Sequence, residues 1–437
     1  MSVDTALFQP IRINQLNVRN RIVLGPMAVL APDPGGRPSE QMSAFLVERA
    51  KGGVGMIIVG GLSGTARAYD ETPFSGSVVR LDLEDYLPDL KRVADAVHAY
   101  KVPLIAEVLT SFGRMGAPRP DRPIIAASPI NVVIPQDRFP QGIIVPGGRA
   151  TPLPREATIA EISALERETA TSAVRMQRAG WDGVEIAAHM SYFVASFLSP
   201  RTNWRNDEYG GSVENRARIL VNIVRMIRTE AGPDFPIGLR ITCNEHIEGG
   251  QGPEGYATIA QIVEREGIDY VALSDGAYET MDISTPAQDG GLIAHGEAQI
   301  FRRMLSVPLL LQGLHDPLNA ADAVAAGHGD MVMLARPMLA DPDYANKVRA
   351  GQLDRIVRCN RDNYCIRRLT MNMPMRCTVN PRAGRESRGS GKAPPIARFA
   401  RAPLEWLILG LTGSRMLMGV AGKLAARKRK ADMTKSA

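Results

Sequence analysis

"PIGLRIT", residues 236–242, is an apolar run interrupted by a single cation, Arg240. Strands of a parallel sheet covered by helices on both faces read as continuous aliphatic runs rather than alternating ones. The segment is therefore read as an interior parallel strand. Seven more runs of this kind lie at Arg21–Gly25, Gly55–Val59, Pro103–Leu109, Gly183–Ala187, Tyr270–Ser274, Pro308–Gln312 and Met331–Leu334. Amphipathic stretches fit between them, among them Ser39–Lys51, Leu83–Tyr100, Thr158–Ala179, Ser212–Ala231 and Asp316–Ala326. Strand–helix alternation argues for a parallel sheet, and eight such units predict an α/β fold, a (β/α)8 TIM barrel. Two insertions, Ser111–Pro154 after the third strand and Met190–Gly211 after the fourth, are longer than ordinary connections. Loops of that length inside a compact domain tend to serve as lids or binding loops, and both fall at the end of the barrel where active sites lie.

The chain has 437 residues, 45% hydrophobic and 22% charged, enough to bury a full core. Its net charge of +6 belongs to the end of the chain, where the last 41 residues carry nine Lys or Arg against two acids. With 5% aromatics and no basic stripe in the body, no nucleic-acid surface is expected. The first residues carry acid early and no apolar core of a leader, so a cytoplasmic, reducing setting is expected. Clustered cysteines in such a setting are metal ligands more often than disulfides. Three regions follow: a barrel over 1–355, a cysteine-containing extension over 356–388, and a linker with an apolar then basic tail over 389–437.

A barrel presents its chemistry at strand ends. Gly25 and Pro26 stop the first strand, and "VGGLSG" (Val59–Gly64) exposes bare backbone after the second. Glu107 ends the third. Arg240 needs a buried anionic or polar partner, which an internal ion pair or a ligand would equally supply. Gly313 and Arg336, after strands seven and eight, stand where barrels often hold a phosphate. Tyr192 follows the fourth strand with His189, and Tyr278 follows the sixth. A phenol stays protonated at neutral pH and can serve as a general acid, although structural tyrosines are more common. No glycine-rich dinucleotide or triphosphate loop occurs. "CNRDNYCIRRLTMNMPMRC" (Cys359–Cys377) places Cys359, Cys365 and Cys377 at Cys-x5-Cys-x11-Cys, while Cys243 reads as a core residue.

Four stretches, "NRIVLGPM" (Asn20–Met27), "FLSPRTNWRNDEYGGSVENRARIL" (Phe197–Leu220), "MLARPMLADP" (Met333–Pro342) and "RCTVNPRAGRE" (Arg376–Glu386), carry a resemblance. From about Leu7 to Glu386 the chain resembles the old yellow enzyme family of NADH:flavin oxidoreductases, nearest the branch that holds 2,4-dienoyl-CoA reductase and trimethylamine dehydrogenase. The resemblance implies FMN across the barrel mouth. Pro26, Met27 and Ala28 would meet it through backbone, Gly61 would pass near its ring, Glu107 would stand where most relatives have glutamine, and Arg240 would face its N1/O2 edge. Gly313, Ala335 and Arg336 would hold the phosphate. It further implies reduction of the flavin by NAD(P)H, hydride delivery to an electron-poor alkene, and Tyr192 as proton donor. Ala187 and Met190 replace the donor pair that usually holds a substrate carbonyl, and Tyr278 replaces a histidine, so a bulkier, more hydrophobic substrate is expected.

Two other functional readings are an oxidative dehydrogenase or demethylase passing electrons to a partner, and a membrane-associated flavoprotein governed by its redox state. Asp362 stands where relatives with an iron-sulfur cluster place a second cysteine, which leaves four readings of the cysteine run. They are a cluster with Asp362 as ligand, a three-iron cluster, a zinc site, and a lost site kept for packing. Relatives of the branch continue into a second dinucleotide-binding domain, whereas "SRGSGKAPP" reads as a linker, so direct reduction by NAD(P)H, or by an electron-transfer partner, is expected. The tail, with Trp406 and the Arg427–Lys430 cluster, is read either as a peripheral membrane contact or as a helix packed on its own barrel or on a second copy in a homo-oligomer.

Overall fold

In the computed structural model the eight runs close into one barrel. The structure describes residues 6–28, 31–73, 78–119, 121–145, 147–388, 403, 407–414, 416, 417 and 420. The barrel strands are Ile22–Leu24, Met56–Ser63, Leu104–Leu109, Gly183–Ala188, Ile237–Thr242, Tyr270–Ser274, Leu309–Gln312 and Met331–Leu334. Neighbours in sequence pair in parallel, and the first strand pairs with both the second and the eighth, which closes the ring. Inward side chains, among them Val23, Met56, Ile58, Ile105, Tyr270, Leu310 and Met331, fill the barrel. A short antiparallel hairpin, Ile11–Ile13 with Leu16–Val18, adds Ile13, Leu16 and Val18 to that cluster.

The helices begin where their caps stand. Ser39, Thr158, Ser212 and Asp316 each accept a hydrogen bond from a backbone N–H of the first turn, so the helices run Glu40–Lys51, Ile159–Arg178, Val213–Ala231 and Pro317–Ala325. A polar side chain at that position satisfies one of the N–H groups the first turn leaves free. The second strand differs from the expectation. It continues through Gly60 and Gly61 to Ser63, with its register against the third strand shifting between Val59 and Leu62. Two adjacent glycines tolerate such a bulge because neither has a side chain to place.

The insertion at 111–154 is a lid of short elements. Val133–Ile134 pairs antiparallel with Arg149–Ala150, and Ile125–Ala126 pairs with Arg155–Glu156. The 356–388 extension packs onto the barrel. The fully buried guanidinium of Arg49 meets the buried Glu386 carboxylate at 2.8 Å, and Asn380 donates to the Leu339 carbonyl at 2.8 Å. Lid and extension also meet, through a 2.9 Å bond from Asn363 to the Gln141 carbonyl. Leu409 of the tail is 6% exposed and its carbonyl accepts from Arg367, whereas Leu407, Leu411, Met416, Leu417 and Val420 are exposed. No described helix is long and apolar enough to cross a membrane. Trp406 and the Arg427–Lys430 cluster lie outside the described residues.

Candidate active site

A cavity of about 260 Å³ opens at the C-terminal ends of the strands. Its wall brings together Pro26, Met27, Ala28, Arg240, Gly313, Ala335 and Arg336, seven of the positions expected from sequence. Gly61 (φ 75°) sits in the bulge beside Gly60. A Cβ on Gly60 would stand 2.6 Å from Pro26 Cβ, 2.8 Å from Met27 N and 2.9 Å from a Glu107 carboxylate oxygen, so Gly60 lets three expected site segments converge.

Arg240 points into the barrel from the fifth strand, with Nε 3.7 Å from Glu107 Oε1. Those two atoms are buried and have no hydrogen-bond partner. His189 Nε2 lies 3.9 Å from the same carboxylate. Burial, and then the positive charge of Arg240, lower the pKa of His189 well below its ordinary value, which leaves the imidazole neutral. Glu185 on the fourth strand is the register partner of Glu107. Burial pushes its carboxyl up to about 8 against the pull of Arg240, with Glu107 adding to the rise. At neutral pH Glu185 is therefore mostly protonated; burial also raises the carboxyl of Glu107, the acid nearest Arg240, against the pull of that guanidinium.

The two tyrosines, 86 residues apart in sequence, bring their hydroxyls within 2.8 Å. Burial, and then Tyr278, raise Tyr192 well above the ordinary phenol range, and burial raises Tyr278 against the lowering effect of its hydrogen bond with Tyr192. Ser191 fixes the pair by accepting from the Tyr278 N–H and donating to Glu279 at 2.8 Å. Glu279 in turn accepts from Arg114 and Arg201. Burial alone would raise its pKa, but the two guanidiniums outweigh that and hold it low. Above the tyrosines the lid contributes Met115, Val132 and Ile134, which cluster with Tyr278, Met281, Met190 and Phe139. Met190 holds a left-handed backbone (φ 58°), uncommon for a long side chain and a mark of local constraint.

In the cavity wall Arg336 donates to Asn363 Oδ1 and to the Pro286 carbonyl, both at 2.9 Å. His315 lines the same cavity, and burial followed by the charges of Arg336 and Arg361 lowers its pKa to about 3. Cys365 faces this cavity. Burial, and then Cys359, raise its thiol to about 12. The Asp362 carboxylate is already engaged by Thr378 Oγ1 at 2.7 Å, by Asn360 at 3.2 Å and by the Tyr364 N–H at 3.1 Å.

Gly60, Glu185 and His315 were not singled out from sequence. The glycine pair and the histidine in "LQGLHDP" were visible there, but only strand register and loop closure show what they face.

The model of the NADH:flavin oxidoreductase / NADH oxidase family matches residues 6–355. An NADH oxidase of Thermoanaerobacter brockii is 33% identical over 387 residues, covering 87% of this chain and 56% of that one. Among solved structures, a 2-naphthoyl-CoA reductase in complex with 2-naphthoyl-CoA matches with a TM-score of 0.76 at 30% identity, over 88% of this chain and 58% of that one. Histamine dehydrogenase from Rhizobium sp. 4-9 matches with a TM-score of 0.74 at 25% identity, over 88% and 53%. The chain spans little more than half the length of these relatives. With the family's model matched over most of its length and a closed eight-stranded barrel beneath it, the chain belongs to the NADH:flavin oxidoreductase / NADH oxidase family.

Proposed function

We propose that this protein binds FMN in the barrel mouth and uses NAD(P)H to reduce the C=C bond of a bulky α,β-unsaturated carbonyl compound, such as an enoyl or dienoyl thioester, a steroid or a polycyclic enone. The observation that carries the reading is the buried Tyr192–Tyr278 hydroxyl pair under an apolar lid, together with a barrel-mouth cavity whose wall carries Arg240 and Arg336. The donor set suits FMN. Arg240 keeps an unpartnered buried Nε for the polar edge of the ring, Gly60 keeps the wall open, and Arg336 supplies a fork donor for a phosphate.

When bound, FMN would relay two electrons from the nicotinamide to the β-carbon of the substrate. Tyr192 would give its proton to the α-carbon, and Tyr278 would orient the Tyr192 hydroxyl and return a proton to it. One hydride from NAD(P)H and one proton from solvent then balance the saturated product. His189, held neutral, adds no charge to the mouth. Ala187 and Met190 offer no side-chain donors to a carbonyl oxygen, so binding would rest on apolar contact with the lid. That arrangement favours a large substrate, and one relative carries the name 2-naphthoyl-CoA reductase.

The test is anaerobic. NADH or NADPH should bleach the flavin bands, and an enoyl thioester or polycyclic enone should then restore them. If no such alkene restores them faster than buffer does, the proposal fails. A second reading, oxidation of an amine with electrons leaving to a partner, draws on the similarity to histamine dehydrogenase. Bleaching by amines without nicotinamide would favour it. For the cysteine run we propose a packing role, because the groups around Asp362 already use its carboxylate. Stoichiometric iron and acid-labile sulfide in anaerobically purified protein would restore the cluster reading.

A further inference from the structure

Away from the tyrosine pair, the connections after the fifth and sixth strands converge on a group the proposed reaction does not use. His246 follows the fifth strand, His295 lies in the loop before the helix Glu297–Met304, and Glu297 opens that helix. One ligand atom from each comes within 4.8 Å of the other two. His246 Nε2 stands 3.7 Å from Glu297 Oε1, and His295 Nδ1 stands 4.0 Å from Glu297 Oε2. Glu297 is 1% exposed, and its Oε2 has no hydrogen-bond partner. A buried carboxylate oxygen without a partner is costly unless something cationic completes it. Its other oxygen accepts from Asn244 at 3.1 Å. Asp275, 4% exposed, has Oδ1 2.7 Å from the same His246 Nε2.

The charges point the same way. Two buried carboxylates, Asp275 and Glu297, face this spot, and the nearby guanidinium of Arg138 is already paired with Asp282 at 3.1 Å. A divalent cation held between them neutralises both. His246 also holds a left-handed backbone (φ 52°) that turns it back toward the strand ends, a constraint of the kind that gathers at ligand sites.

We propose that His246, His295 and Glu297 form a binding site for a divalent first-row transition ion, of which zinc is the natural probe, with Asp275, whose hydrogen bond to His246 Nε2 the ion would replace, as a further ligand. Two imidazoles and a carboxylate are an established zinc donor set, with bonds of about 2.0–2.2 Å, which places neighbouring ligand atoms about 3.4 Å apart in a tetrahedral shell. Glu297 and His246 are nearly there. His295 has the distance left to close, and its side chain is 53% exposed and able to swing inward. The ion would tie the loop after the fifth strand to the helix Glu297–Met304. Through Asp275, three residues before Tyr278, it would also stiffen the segment that carries one of the paired tyrosines.

The experiment uses the full-length flavoprotein, stripped with a chelator, desalted, and titrated with zinc chloride by calorimetry, with bound metal counted by mass spectrometry. The expected result is a single zinc per chain. Affinity should fall at least about a hundredfold in both His295→Ala and Glu297→Gln and be unchanged in Cys359→Ser, which separates this site from the cysteine run. His295 is exposed, so its variant tests the site without disturbing the core, and circular dichroism verifies both folds. No stoichiometric uptake, equal uptake in His295→Ala, or loss of uptake in Cys359→Ser would each overturn the assignment.

Discussion

Replacing Tyr192 by phenylalanine removes one oxygen from the 2.8 Å hydroxyl pair and leaves the ring contacts with Phe112, His189 and Tyr278 in place. A positioned general acid contributes about 10²–10⁴ in rate, equivalent to about 2.7–5.4 kcal/mol at about 1.36 kcal/mol per decade. The variant also leaves the hydroxyl of Tyr278, a residue 9% exposed, without its partner, at a cost in stability of about 1–3 kcal/mol. The protein should still fold and take up FMN. Stopped-flow absorbance under nitrogen separates the two halves of turnover. Bleaching by nicotinamide should stay within about twofold of wild type, whereas recovery with an alkene should slow at least about a hundredfold. Burial, and then Tyr278, hold the Tyr192 proton above the ordinary phenol range, so the wild-type alkene step should show no alkaline loss below about pH 10. Wild-type alkene rates in the variant would refute the role of Tyr192. Equal slowing of both steps would mean that the substitution had disturbed the mouth rather than the proton transfer.

Arg336→Ala removes a cation from the cavity wall and should weaken FMN binding about 10- to 150-fold, the equivalent of about 1.5–3 kcal/mol for charge-assisted bonds. Unchanged flavin content after dialysis would undo the phosphate assignment. Glu107→Gln should raise the flavin midpoint potential in a dye-coupled titration, because it removes a buried negative charge beside Arg240. Burial raises the Glu107 pKa against the pull of Arg240, so the carboxyl is neutral at lower pH. The gap between variant and wild type should therefore widen as pH rises, and a gap that narrows would contradict the reasoning. Arg49→Met leaves Glu386 buried without its cation and should cost about 3–5 kcal/mol in urea denaturation, with faster proteolysis of the extension. A loss below about 1 kcal/mol would mean that the pair does not anchor the extension.

The parts of this protein legible in the sequence rest on short-range signals. Eight aliphatic runs announced eight barrel strands because a strand covered on both faces has no room for polar residues. Ser39, Thr158, Ser212 and Asp316 marked helix starts because a cap acts within three residues of itself. Arg240 was conspicuous as the lone cation in its strand, and seven expected contact residues do line one cavity. These residues lie at strand ends, which chain order alone locates once the barrel is assumed. The strand boundary at Val59 was misplaced because a bulge depends on the partner strand.

Other features waited for the closed ring. The facing of Glu107 and Glu185 follows from the register of two strands, which no local periodicity encodes. Tyr192 meets Tyr278, and His246 meets His295 and Glu297, only because loops from different strand ends converge on one rim. The joining of Ile13, Leu16 and Val18 to the inner cluster of the barrel was invisible for the same reason. The sequence by itself determined which segments are strands and helices and which residue types stand at the barrel mouth, since burial and capping act on neighbours along the chain. Only the tertiary structure decided which of those groups share a charge, a proton or an ion, because such coupling depends on distances of a few ångströms between residues that are tens or hundreds of positions apart.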